Sequence, residues 1–105
     1  MSRTTIAEVQ KASYELFKEI NERRSITWTP FALVADLLEE AGEVASVVKG
    51  LEGYKPPDKP KTREMLATEL SDLLYAIFVL AETYGIDLEE SYQRTTDSYR
   101  ERFLK

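Results

Sequence analysis

The sequence predicts an all-α fold in which four helices form a compact bundle. Apolar residues recur with the period of about 3.6 residues that marks an amphipathic helix, and no segment shows the two-residue alternation of a strand. No repeat of fixed period is visible, which argues against a solenoid. With 105 residues, the chain is expected to form one domain over residues 1–105.

The first two predicted helices differ in how clearly their ends are marked. The first covers about residues 5–21, with apolar side chains on one face and Glu and Lys opposite. The second begins at TWTPFA, where Thr29 suits the cap and Pro30 the first helical position, and it ends near KGLEG. Inside it Gly42 costs about 1 kcal/mol relative to Ala, so we expect a close helix contact there.

A loop of about ten residues, within GLEGYKPPDKPKT, separates the second helix from the third, because its prolines and glycines exclude a continued helix. The third helix is predicted from near Thr62 to Gly85. The fourth begins at DLEE, where Asp87 and Glu90 have the spacing of a capping box, and it continues to about Phe103.

The composition excludes several kinds of chemistry. Without Cys and His there are no disulfides, no cysteine nucleophile, no imidazole base and no zinc site of the usual kind. No window approaches the roughly 18 to 20 apolar residues of a membrane span, so a cytoplasmic protein without a membrane partner is expected. The net charge of -5 argues against binding a nucleic-acid polymer.

Two pairs of acidic residues border the apolar faces of the two central helices. Glu40 falls on the edge of the apolar stripe of the second helix, and Glu43 follows one turn later on the same flank. Glu69 and Asp72 lie just before the apolar run LLYAIFVLA of the third helix. If these two helices pack against each other, the four carboxylates converge.

Such a cluster requires a counter-ion, because burying one unpaired carboxylate costs several kcal/mol and like charges add to that cost. Basic residues are scarce on the facing surfaces, with Lys49 near the end of one helix and Arg63 near the start of the other. Ligation by oxygen alone suits a hard divalent cation, Mg²⁺ first and Mn²⁺ next. The alternative is that both acidic pairs belong to ordinary solvated helix faces.

The segments LLEEAGEVASVVKG and ELSDLLYAIFVLAETYGIDLEE resemble the MazG-type all-α nucleoside triphosphate pyrophosphohydrolases. That family has the pattern EExxE, a loop, and ExxD on the next helix, which here is EEAGE at residues 39–43 and ELSD at residues 69–72. The resemblance covers about residues 30–90, more than half of the chain.

The resemblance implies roles for five acidic residues. Glu40, Glu43, Glu69 and Asp72 would be the ligands of Mg²⁺, with Mn²⁺ as a possible substitute. The implied reaction is hydrolysis of an NTP or dNTP, including non-standard ones, at the α-β bond to the monophosphate and pyrophosphate. Glu39 and Glu40 are the catalytic candidates that would orient the attacking water.

Assembly into a homodimer or a dimer of dimers is implied by the resemblance and is also expected from the third helix. This helix has a second apolar side, formed by Leu74, Ile77, Phe78 and Ala81. One small bundle would not cover both sides, so a partner copy is expected to bury the second one.

The candidates for substrate binding are two aromatic and three basic residues: Trp28, Phe31, Lys55, Arg100 and Arg102. The aromatic rings would stack on the base, the lysine in the loop would reach the leaving pyrophosphate, and the arginines would contact phosphates. Each also has a plain structural interpretation, as core or staple aromatics, a soluble connector, or a solvated helix end.

Four alternatives stay open on the sequence. A phosphoribosyl-ATP pyrophosphohydrolase shares the fold and the acidic pattern. A non-catalytic helical dimer or adaptor would explain the amphipathic helices without chemistry, but not the acidic residues beside apolar ones. Relatives carry a Lys near the position of Ser98, and its loss leaves room for a weakly active member. A redox metal bundle ranks low, because it normally needs Glu-x-x-His.

Overall fold

The computed structural model describes residues 4–54 and 60–105. These residues form four helices and no strand, which confirms the all-α prediction: α1 Ile6–Arg24, α2 Pro30–Glu52, α3 Arg63–Thr83 and α4 Leu88–Phe103. Part of the predicted loop, with Lys55, lies outside the described residues. Within the described segments, no helix has both the length and the apolar character needed to cross a membrane.

Both ends of α2 are set by the residues that the sequence marks. The hydroxyl of Thr29 accepts a hydrogen bond from the backbone N–H of Ala32 at 3.1 Å, and Pro30 opens the helix. This bond satisfies one of the donors that the first turn leaves free. At the other end Gly53 has φ 76°, a left-handed conformation that costs glycine little, and its N–H donates to Gly50 O.

The starts of α3 and α4 are each capped by a side-chain oxygen. Thr62 Oγ1 accepts from the backbone N–H of Met65 at 3.2 Å, and Asp87 Oδ1 accepts from that of Glu90 at 3.3 Å. The carboxylate of Glu90 lies 3.8 Å from the Arg94 guanidinium, one turn further along α4. Local capping chemistry thus fixes where each of these helices begins.

The chain divides into two compact units. The first unit holds the described residues up to Thr27 together with Phe78–Lys105. It therefore contains α1, all of α4 and the last residues of α3. The second is Trp28–Ile77 apart from residues 55–59, with α2 and most of α3. Buried apolar residues are found in both: Phe78, Val79 and Ala81 in the first, and Leu33, Val47 and Ala76 in the second. A single domain over residues 1–105 stays a prediction.

A buried glutamine ties α1 to the turn between α3 and α4 in the first unit. Gln10 is 3% exposed, and its Nε2 donates to Glu82 Oε1 at 3.0 Å and to Ile86 O at 2.6 Å. Its Oε1 accepts from the backbone N–H of Leu88 at 3.3 Å. Because both ends of the amide have partners, this polar group is buried without an unpaired atom.

One packing expectation is wrong in part, and another is not met within the described chain. Phe78 and Ala81 are each 6% exposed, so the chain itself buries these members of the second apolar side of α3 and no partner is needed for them. Leu74 remains 48% exposed. At Gly42 a Cβ would meet nothing within 4 Å, so the close helix contact expected there is absent from the described chain. The close contact lies instead at Gly50, against Lys61.

Candidate metal centre

Three carboxylates from two helices meet in the second unit. One oxygen each of Glu40 on α2 and of Glu69 and Asp72 on α3 lie within 4.8 Å of one another. Glu40 and Glu69 are partly buried, whereas Asp72 is exposed. In residues 4–54 and 60–105 this is the one group of three or more potential metal ligands.

The spacing of the acids relative to buried residues explains why these side chains face each other. Ala76, 7% exposed, follows Asp72 by four residues and Glu69 by seven, so the three occupy one side of α3. Val47, 4% exposed, follows Glu40 by seven residues on α2. Each acid therefore lies on the border of a buried face, where the neighbouring helix is near.

Burial and neighbouring negative charges both act on the Glu40 carboxyl. Its partial burial raises the pKa of the Glu40 carboxyl, and the negative charges of Asp72, Asp36, Glu69 and Glu39 raise that pKa further, in this order. No lysine or arginine in the described residues forms an ion pair with Glu40, Glu69 or Asp72. The cluster has more negative charge than its own side chains compensate.

Asp36 is a contributor that the sequence interpretation missed. It is partly buried and lies four residues before Glu40, so both project from the same side of α2. Its charge raises the Glu40 pKa next after that of Asp72. The signal was present in the sequence as an acid one turn upstream of a border glutamate.

The donor set fits a divalent cation. Carboxylate oxygens are hard ligands, which Mg²⁺ and Mn²⁺ prefer over the nitrogen and sulfur donors that zinc favours. A cation among the three carboxylates would oppose the burial and the neighbouring negative charges that raise the Glu40 pKa, since opposite charge stabilises the ionised form. Glu40, Glu69 and Asp72 are thus the residues that would hold such an ion.

Two other predicted acids lie outside this group. Glu43 is exposed on α2, and its carboxylate is not among those that meet within 4.8 Å. Glu39 is also exposed, although its charge acts on the neighbouring Glu40. The ligand role of Glu43 and the catalytic role of Glu39 stay predictions.

The predicted aromatic contacts for a base lie at the start of α2 in the second unit. Trp28 is partly buried, whereas Phe31 is 82% exposed. Lys55, the predicted contact for the leaving pyrophosphate, lies outside the described residues. Of the two aromatic residues, Phe31 thus presents its ring to solvent, whereas Trp28 does so only in part.

The two predicted arginines lie near the end of α4 in the first unit and are exposed. Arg100 Nη1 is 2.9 Å from Asp97 Oδ1, and the Arg102 guanidinium lies 4.8 Å from the centre of the Phe103 ring. Exposed ion pairs and cation–π contacts each contribute about 1 kcal/mol or less, so each arginine is held only weakly by its neighbour.

The chain is similar to known proteins in both sequence and structure. Residues 28–103 match the MazG nucleotide pyrophosphohydrolase domain. The uncharacterized protein YpjD of Bacillus subtilis is 29% identical over 97% of this chain and 89% of its own, and the uncharacterized protein YvdC of the same organism is 34% identical over 82% and 88%. A crystal structure of Bacillus subtilis YpjD, described as a candidate pyrophosphatase, superposes with a TM-score of 0.79 at 28% identity, covering 94% of this chain and 98% of that one.

Proposed function

The chain belongs to the MazG nucleotide pyrophosphohydrolase family, and we propose that it cleaves a nucleoside triphosphate at the α-β bond with the help of a divalent cation. The expected ion is Mg²⁺, with Mn²⁺ as the next choice. It is an enzyme of the pyrophosphohydrolase class with the MazG-like all-α fold. The observation that carries the proposal is the meeting of Glu40, Glu69 and Asp72 within 4.8 Å.

A negatively charged protein is expected to bind a negatively charged triphosphate only if a cation is bound between them. The chain has a net charge of -5, and a triphosphate is itself an anion. A bound divalent cation would neutralise the carboxylates and the phosphate oxygens together and polarise the phosphorus under attack. A cytoplasmic location, where such substrates are held, is part of the same proposal.

The acids of the chain divide the remaining work. Glu40, Glu69 and Asp72 hold the cation, and Glu43 is proposed as a further ligand. Glu39, exposed beside Glu40, orients a water and accepts its proton as the oxygen attacks the α-phosphorus. The new P–O bond forms at the α-phosphorus, the bridging bond to the β-phosphate breaks, and pyrophosphate leaves. Glu40 is the second candidate for orienting the water.

Recognition of the nucleotide is assigned to the aromatic and basic residues. The exposed ring of Phe31 can stack on the base, with Trp28 beside the same helix start as a second candidate. Lys55, Arg100 and Arg102 are proposed for the phosphates. The arginines have only weak local partners, which a triphosphate can displace.

Assembly into a homodimer or a dimer of dimers is supported by leucines and a valine left exposed in the second unit. Leu70 and Leu74, four residues apart on α3, are each 48% exposed. Val34 and Leu38 have the same spacing on α2 and are 39% and 65% exposed. Spacing of four places each pair on one side of its helix, so each pair forms an apolar strip that a second copy can cover.

The proposal is tested by offering the protein ribo-, deoxy- and non-standard nucleoside triphosphates with Mg²⁺ and by measuring pyrophosphate and orthophosphate separately. Pyrophosphate with an equal amount of monophosphate is expected from one or a few substrates. Asp72→Asn should lower kcat at least about 100-fold, because it removes a charged ligand of the cation. Glu52→Gln, which neutralises an exposed acid at the end of the same α2, is the matched control.

Other outcomes of the same panel contradict the proposal in different ways. Orthophosphate as the first product would place the cleavage at the β-γ bond. If phosphoribosyl-ATP is added to the panel and is the one compound turned over, the alternative substrate is assigned to the same acid site. An Asp72→Asn protein as active as Glu52→Gln would show that the three carboxylates do not carry the reaction.

A further inference from the structure

Gly50 and Lys61 are in close contact on either side of the loop that joins α2 to α3. A Cβ added to Gly50 would overlap Lys61 Cγ and would lie 3.2 Å from Lys61 Cβ and 3.4 Å from Lys61 Cδ. Lys61 is partly buried, and it immediately precedes Thr62, whose hydroxyl caps α3. The lysine stem thus packs on the α2 backbone where glycine leaves room for it.

This contact has the same antiparallel register as the carboxylate cluster. Glu40 lies ten residues before Gly50 on α2, while Glu69 and Asp72 lie eight and eleven residues after Lys61. Ten residues of helix are about 15 Å long. Similar numbers of residues, along α2 on one side and along the segment that leads into α3 on the other, therefore separate the Gly50–Lys61 contact from the acids, all within the second unit.

We propose that Gly50 and Lys61 are a positioning pair that sets the register of α2 against α3 and so brings Glu40 to Glu69 and Asp72. The inference rests on the proposed function for its consequence, since the cluster matters because it holds the cation. A register shift of one residue moves a helix by about 1.5 Å along its axis, which would carry a carboxylate by that distance relative to its partners.

Gly50 allows a clean test because nothing else there requires glycine. It lies inside α2, and the positive φ values of the described glycines belong to Gly53 and Gly85. Ala is the better helix former, so Gly50→Ala should raise the melting temperature unless the methyl group meets Lys61. Gly42→Ala is the matched control, since a Cβ there has nothing within 4 Å.

The experiment measures Mn²⁺ affinity by electron paramagnetic resonance, and melting temperature without metal, for four variants. These are Gly50→Ala, Lys61→Ala, the two combined, and Gly42→Ala. Gly50→Ala should weaken Mn²⁺ binding about tenfold, as is usual when the support of a metal ligand is lost. In the double variant, Lys61→Ala removes the Cγ and Cδ atoms that the new methyl group would meet. Its Mn²⁺ affinity should therefore be within about twofold of that of the Lys61→Ala protein. The single Lys61→Ala variant is the reference because it lacks the same positive charge.

Melting temperature gives an independent result. Gly42→Ala should raise it by about 4 °C, whereas Gly50→Ala should lower it and Lys61→Ala should reverse that loss. A Gly50→Ala protein that matches Gly42→Ala in both measurements overturns the proposal, as does an equal loss with and without Lys61. If Gly50→Ala does not fold, refolding of the double variant supports the pair and its absence overturns it.

Failure of the proposed function would look different. A wild-type protein that binds no Mn²⁺ contradicts the metal site, while the melting temperatures still decide the contact. Under that result, a loss in Gly50→Ala that Lys61→Ala reverses supports the packing of Lys61 on Gly50 that the register role requires. A gain equal to that of Gly42→Ala contradicts it.

Discussion

The carboxylates of Glu40 on α2 and Asp72 on α3 lie within 4.8 Å of each other. Partial burial of Glu40 and then the charge of Asp72 are the two largest causes that raise the Glu40 pKa. Both effects act in the folded protein without a cation, and both are absent from the unfolded chain, in which the helices have separated. Stability should therefore depend on both pH and metal.

Without metal, the free energy of unfolding should decrease as pH rises through the folded pKa of Glu40. The ordinary value is 4.5, and the folded value is higher, so between the two the folded state binds the extra proton. The stabilising effect of that proton is complete below about pH 4.5 and is lost above the folded pKa. Glu40→Gln should flatten this part of the profile, which urea unfolding in a chelator at several pH values measures.

Glu52→Gln is the control for the pH profile, because Glu52 is exposed and its substitution leaves the cluster intact. Its profile should keep the wild-type slope above about pH 4.5. If Glu40→Gln and Glu52→Gln proteins have the same slope, the Glu40 carboxyl is not the group that gives the profile its slope.

Mg²⁺ should stabilise the folded protein, because a ligand that binds only the folded state adds about 2.7 kcal/mol at one hundred times its Kd. For a domain of this size that corresponds to a rise in melting temperature of about 10 °C. Glu69→Gln should abolish most of this rise, since it removes one of the three carboxylates. Differential scanning calorimetry with Mg²⁺ and with EDTA measures both proteins.

Glu43→Gln distinguishes a three-acid from a four-acid site in the same experiment. If Glu43 is a ligand, its loss should reduce the Mg²⁺-dependent rise as strongly as Glu69→Gln does. If its exposed position outside the group persists when the ion binds, the rise should stay at the wild-type value.

Replacing Gln10 should destabilise the first unit more than its size suggests. Gln10→Leu would leave the Leu88 N–H and the Ile86 carbonyl without their partner, at a cost of about 1 to 3 kcal/mol for each group that stays buried. We expect a total loss of about 2 to 4 kcal/mol in urea unfolding.

The control is Gln93→Leu on α4, where the glutamine is exposed and its amide donates to Asp97 alone. Its effect should be within about 0.5 kcal/mol of zero, as is usual on the surface. Equal losses for the two glutamines would mean that the buried amide of Gln10 has no special structural role.

If a second copy covers the exposed strips of α2 and α3, a charge within them should separate the copies. Leu38→Glu and Leu74→Glu should shift the protein from dimer or tetramer towards monomer in sedimentation velocity, because each would bury an unpaired carboxylate. Leu16→Glu on α1 is the control of comparable exposure, 51% against 48% for Leu74. A wild-type protein that sediments as a monomer would contradict the assembly.

Sequence patterns were sufficient for the helices because their ends depend on local chemistry. Thr29, Pro30 and Gly53 each act within one turn of α2, and so their types alone locate it. The periodicity of α1 was less complete as a guide. Gln10 follows Ile6 by four residues and precedes Phe17 by seven, which places it on the apolar face of α1. Because glutamine is polar, its burial was not predicted from the sequence.

At the site, the sequence indicated the correct sides of the helices for three acids. Glu40, Glu69 and Asp72 are border residues by spacing, and they are the ones whose carboxylates meet. Glu43 has equally good spacing on its own helix and nevertheless lies outside the group, whereas Asp36 acts on Glu40. Helical periodicity gives the direction of a side chain but not the point at which the neighbouring helix comes near.

The sequence by itself determined the four helices, the caps of α2 and α4 and the acids that edge the buried faces, because capping and a 3.6-residue period involve only residues within a few turns. Tertiary structure alone decided which acids meet, that Gly50 rather than Gly42 makes a close contact, and that Phe78 is buried within the chain. The reason is that the axial register and crossing of helices result from side chains far apart in sequence packing together.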